Sequence, residues 1–192
     1  MTPFEYAIGL ISILMSLALA DVVMCVHRLM RRARTVRWDA RPLIATVLIV
    51  IEIIRIWFAQ WTLRDLDTAL GFPIYVALFG HILLLVMTAV ASLPDEVSDG
   101  CDLGEFYDRN RTYFWGAFAA AQVAYFALWL VFGGSQVSVG GSVGVMDWFR
   151  ILGPLAIYLL LALVRWKWLH YVAPLMVLAF YVWLYRGQTI SA

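Results

Sequence analysis

Leu43-Ile-Ala-Thr-Val-Leu-Ile-Val-Ile-Glu-Ile-Ile-Arg-Ile-Trp-Phe-Ala-Gln-Trp61 is an apolar run that holds a carboxylate, Glu52, and a guanidinium, Arg55, three residues apart near its middle. Its length suits a helix crossing the hydrocarbon layer of a bilayer, and nothing about crossing requires a charge. At mid-bilayer each charge costs about 2.5–3.5 kcal/mol on insertion scales, so the pair must be compensated inside the protein and is a functional-site candidate.

The rest of the chain agrees with a membrane solvent. Of its 192 residues 64% are hydrophobic and 14% charged, with a mean hydropathy of +0.84; an ordinary soluble domain carries about 25% charge. Five further apolar runs can be drawn, so the spans are about 4–26, 43–63, 72–93, 113–132, 148–164 and 169–185. The expected fold class is all-α: a polytopic six-transmembrane-helix bundle forming one domain over residues 1–192. The apolar residues come in unbroken runs and not in strict alternation, which argues against a β-barrel. All six prolines, Pro3, Pro42, Pro73, Pro94, Pro154 and Pro174, are read as lying at or near span ends, where a missing N–H costs least. Arg165-Trp-Lys-Trp168 is the only link between the last two runs, which predicts a tight antiparallel hairpin.

Orientation follows from the basic residues. Arg28, Arg31, Arg32, Arg34, Arg37 and Arg41 fall in or beside the first connection, Arg109 and Arg111 in the third, Arg165 and Lys167 in the fifth; only Arg64, Arg150 and Arg186 fall on the other side. The positive-inside rule then puts odd-numbered connections in the cytoplasm and both termini outside, in a cell inner (plasma) membrane. Trp38, Trp115, Trp166 and Trp168 are expected at the inner boundary, Trp61, Trp129, Trp148 and Trp183 at the outer, and Trp57 within. The start, Met-Thr-Pro-Phe-Glu, lacks the basic region of a cleavable signal, so the first span is expected to stay. Cys25 and Cys101 are expected as free thiols in a reducing compartment.

Four polar residues come out at one depth: Glu52, Arg55, His81 and Gln122. Ions and amides in hydrocarbon must face the bundle interior or a wet cavity, so one network is expected. In one reading it is a proton or ion path in which Glu52 or His81 changes protonation; in the other it is a permanently satisfied ion pair that sets helix register. Asp21 lies near the inner end of the first span, either reaching the boundary or lining the mouth of such a path. Gly9, Ser12, Ser16 and Ala20, with Glu5, form a stripe of small and polar residues expected to pack against neighbouring helices.

Between Pro94 and Arg111 the chain is mostly acidic. Val97 and Phe106 occupy positions where a calcium loop needs oxygen ligands, so that motif is rejected; Asp102 with Glu105 reads as a capping box opening a helix into the fourth span. This segment and the arginine-rich connection share one side, so they pair with each other, or Arg28, Arg31, Arg32, Arg34 and Arg37 hold anionic lipid head groups. Gly133 to Met146, uncharged and glycine-rich, reads as a loose external loop. No cofactor or metal is expected: His27, His81 and His170 lack matched helical pairs for haem, and neither Cys-X-X-Cys nor His-Glu-X-X-His occurs.

No nucleophile–base pair is recognisable, so catalysis ranks last, through an interfacial site using Asp21, His27 and His170. The leading expectation is a channel or transporter component moving protons, ions or a small solute past Glu52, Arg55, His81 and Gln122; the alternative is a non-catalytic scaffold or accessory subunit. Expected partners are the bilayer, its anionic head groups, and further copies or other membrane subunits, with no nucleic acid.

Overall fold

The computed structural model describes residues 3–61, 72–137 and 145–186. Among them the chain is all-α: α1 (Pro3–Arg31), α2 (Ala40–Trp61), α3 (Phe72–Val90), α4 (Leu103–Val137), α5 (Val145–Leu163) and α6 (Leu169–Tyr185), with no strand. Two of these helices, over Ile8–Arg31 and Leu103–Leu130, are long and apolar enough to cross a membrane, and Tyr75–Val90, Leu152–Leu163 and Leu169–Tyr185 are shorter apolar segments.

Helix α2 is the hub, in contact with α1, α3, α4 and α6, while α4 packs most extensively on α3 and α5. Residues of all six helices contribute to one apolar core, including Met15, Ile49, Ile82, Phe118, Tyr158 and Val177. Along α1 the buried side chains are Ile11, Met15, Ala18, Val22, Cys25 and Leu29, and their alternating spacing of four and three places one stripe against the bundle. The opposite face is also apolar: Leu10, Ile13, Leu17, Val23, Met24 and Met30 are exposed.

Several expectations are corrected. Most of the small-residue stripe of α1 does not face its neighbours: Gly9, Ser16 and Ala20 are exposed, and only the half-buried Ser12 meets α2, its hydroxyl accepting from Trp57 Nε1–H at 3.4 Å. Larger side chains make the contacts, and the Ser16 hydroxyl bonds back to the Ser12 carbonyl at 2.7 Å. Pro154 and Pro174 lie inside α5 and α6, not at their ends. Both are buried, so packing offsets the backbone bond each one removes. Although α6 follows α5 after a short turn, it lies mainly against α2, so the last two helices are not the tight hairpin expected. Trp115 is fully buried in the core and not at a boundary. The glycine-rich stretch from Gly133 begins as the last turn of α4, which ends at Val137, and Val145 opens α5; residues 138–144 lie outside the described residues.

The first and third connections are joined. Arg37 N–H donates to the Cys101 carbonyl at 2.9 Å and Leu103 N–H to the Arg37 carbonyl at 3.1 Å. A small satellite core, Cys25, Leu29, Val36, Leu93 and Leu103, lies beneath this joint. Asp102 caps α4, its Oδ1 accepting from Gly104 N–H at 2.8 Å and Glu105 N–H at 3.0 Å. Only half of the expected capping box forms, because Glu105 pairs forward with Arg109 at 2.7 Å.

Candidate functional site

Glu52 and Arg55 occupy one face of the hub helix and pair through two bonds, Nε to Oε2 at 2.9 Å and Nη2 to Oε1 at 2.5 Å. The i,i+3 spacing brings fork and carboxylate into register. Glu52 is 1% exposed and Arg55 9%. The remaining Arg55 nitrogen, Nη1, donates to the Tyr185 hydroxyl at 3.3 Å. Two tyrosine rings close over the guanidinium, Tyr125 from α4 at 4.8 Å and Tyr181 from α6 at 5.4 Å, and such faces attract a desolvated cation. Tyr181 in turn shares a hydroxyl contact of 3.2 Å with Tyr158 of α5. The charge is thus held by the hub helix and two others.

His81 and Gln122, expected in the same network, are both buried, yet neither hydrogen-bonds to the ion pair. His81 Nδ1 lies 3.0 Å from the Ala121 carbonyl; a carbonyl only accepts, so Nδ1 carries the proton. Nε2 has no partner. The link to the ion pair is instead aromatic, since the His81 ring lies 5.9 Å from that of Tyr125. No local pattern in the sequence marks the four tyrosines. Tyr181 and Tyr185 stand one helical turn apart, but their face toward α2 is a tertiary fact.

From Tyr158 an aromatic column runs along the bundle. Its ring stacks on Phe118 at 4.2 Å and lies 5.7 Å from Trp115. Trp115 Nε1–H donates to the Tyr107 hydroxyl at 2.8 Å, which then donates to His170 Nδ1 at 2.8 Å. His170 Nε2 meets the Val164 carbonyl at 2.9 Å, so it bears the hydrogen. Arg111 donates to the same carbonyl at 2.6 Å. Every polar atom of His170 is satisfied with the imidazole neutral. His170 is buried and His27 exposed, so the interfacial catalytic pairing considered from sequence has only one member in the interior.

Beside this node Arg41, 3% exposed, bonds to Asp39 at 2.8 Å and Asp108 at 2.7 Å, and Tyr171 O–H donates to Asp39 at 3.2 Å. Burial alone would raise the Asp39 carboxyl, but its hydrogen bonds with Arg41 outweigh that and hold it below the ordinary value. Burial would likewise lower Arg41, and its two carboxylate partners hold it above the ordinary value instead.

The other basic residues of the first connection divide into two groups. Arg28 donates to the Asp95 carbonyl, Arg32 pairs with Asp99 at 3.2 Å, and Arg37 comes within 3.9 Å of Asp102. Among the described residues Arg31 and Arg34, both exposed, make no ion pair. Asp21 is half-buried on α1, far along that helix from the polar centre, and approaches Cys25 and Asp95. Both cysteines are free. Comparison with known protein families, with curated proteins and with solved structures finds no match for this chain.

Proposed function

We propose that this chain is a multi-pass inner-membrane protein whose six helices form a bundle with both termini outside, and that it acts as a non-catalytic scaffold or accessory subunit. Apolar side chains on the outward faces of α1, α4, α5 and α6 support the membrane setting: Leu17, Leu130, Leu163 and Val182 all point away from the core, and a soluble surface rarely carries so continuous an apolar cover. Gathering of the first, third and fifth connections around Arg41, Asp39, Arg111 and Val164 supports the orientation drawn from the arginines. Exposed Arg31 and Arg34 suit anionic head groups.

One observation carries the scaffold reading: the Glu52–Arg55 pair is bonded at both carboxylate oxygens and capped by Tyr125, Tyr181 and Tyr185. A group that carries protons or ions must exchange partners, whereas a pair bonded at each of its nitrogens and oxygens fixes how its helix sits against its neighbours. The outward stripe Gly9, Ser16 and Ala20 then offers a close-packing face to a further helix. Transport remains the second reading because of His81 Nε2, a buried acceptor without a donor among the described residues.

Reconstituted vesicles loaded with a pH-sensitive dye separate the two. Scaffolding predicts the same proton leak for wild type, Glu52→Gln and empty vesicles, and a particle larger than the 21.8 kDa chain when extracted in native lipid. Flux above the empty-vesicle level that disappears in a folded Glu52→Gln variant would replace scaffolding by transport.

A further inference from the structure

Asp21 and Cys25 stand one turn apart on the same face of α1, and Asp95 arrives from the α3–α4 connection directly after Pro94. The two carboxylates and the thiol each place a ligand atom within 4.8 Å of the other two. Cys25 is 1% exposed, in the satellite core with Leu29, Val36, Leu93 and Leu103. Among the described residues nothing hydrogen-bonds to its thiol. A buried, unpartnered sulfur therefore faces two carboxylates whose mutual repulsion a cation would relieve.

We infer that Asp21, Cys25 and Asp95 form a zinc site, which does not depend on whether the bundle scaffolds or transports. Donors around a tetrahedral zinc, at bond lengths of about 2.0–2.3 Å, stand roughly 3.3–3.8 Å from one another. Closing from within 4.8 Å to that spacing asks a shift of about 1 Å, which falls to the side chains of the exposed Asp95 and half-buried Asp21. Sulfur in the set favours zinc over magnesium or calcium, which take oxygen ligands. Three protein donors leave a fourth position for water. Solvent is at hand, because Asp95 also lines an open groove of about 590 Å³ with Arg28, Arg31, Arg32, Glu96 and Val97. On binding, the Cys25 thiol releases its proton to solvent and the thiolate enters the shell. The ion ties α1 to the α3–α4 connection at the place where Arg28 already bonds to the Asp95 carbonyl.

Tag-free full-length protein, stripped with a chelator in detergent and titrated with Co²⁺ and then Zn²⁺, tests the assignment. One equivalent of Co²⁺ should bind with a thiolate-to-metal charge-transfer band, lost in Cys25→Ser and weakened in Asp95→Asn. Zn²⁺ should displace it and slow alkylation of Cys25 in a folded Cys101→Ser background, a readout that requires no change at the site itself. Failure of wild type to take up an equivalent of either metal overturns the inference, as does a charge-transfer band that survives Cys25→Ser or an alkylation rate that zinc leaves unchanged.

Discussion

Replacing Glu52 by leucine leaves the Arg55 guanidinium buried with its principal partner gone. Removing one member of a buried pair costs about 3–5 kcal/mol. Here the tyrosine faces at 4.8 and 5.4 Å and the Tyr185 hydroxyl stay in place, and each cation–π contact is worth about 0.5–2 kcal/mol. The expected loss is therefore at the lower end, about 3 kcal/mol, or roughly two orders of magnitude in the folded-to-unfolded ratio. Arg55→Met leaves a carboxylate with neither of its two donors and is expected to cost as much. Combining the two removes both charges at once, and since buried pairs are often neutral to replace by apolar residues, the double variant should lie within about 1 kcal/mol of wild type. Reversible unfolding by denaturing detergent in bicelles, followed by tryptophan fluorescence, measures all four corners of this cycle. Single variants that each cost under about 1 kcal/mol, with a double variant at their sum, would mean that the pair is hydrated and the closed-site argument fails.

Three further outcomes are expected. Tyr107→Phe strips a donor from His170 Nδ1 and an acceptor from Trp115 Nε1, so it should cost about 1–3 kcal/mol in the same unfolding assay, with a change in near-ultraviolet circular dichroism from Trp115. Gly104→Ala places a methyl 2.9 Å from Asp39 Oδ2 and 3.2 Å from Arg41 Nη2. It should lower stability by about 1–3 kcal/mol, whereas Gly9→Ala, which meets nothing within 4 Å inside a helix, should leave the melting temperature in detergent unchanged or slightly raised. Because Asp39 is held below its ordinary value of 3.8, its contribution is complete above that pH and is lost as pH falls through the folded-state value. Acid unfolding of Asp39→Asn should lack this component while wild type shows it.

Legibility varied with the range of the interaction. The Glu52–Arg55 pair was readable because an i,i+3 spacing on one helix is local geometry, and the Asp102 cap was readable because a capping side chain reaches only its own first turn. The small-residue stripe of α1 was misplaced because two faces of that helix are both low in charge, and hydropathy periodicity cannot choose between them. By its distance along the span Trp115 reads as a boundary residue, yet Tyr107, about two turns earlier on the same helix, supplies the acceptor that lets an indole sit in the core. Proline avoids helix interiors, so Pro154 and Pro174 read as end markers, a preference that buried packing overrides here.

The amino-acid sequence by itself determined the all-α class, the six helices of the described residues and the buried ion pair, since composition, run length and short spacings act within a turn or two of backbone. Only the tertiary structure decided that α2 is the hub, that tyrosines of α4 and α6 enclose Arg55, and that Asp95 meets Asp21 and Cys25. Those meetings join residues distant along the chain, and their partners are chosen by how whole helices pack, which no local pattern encodes.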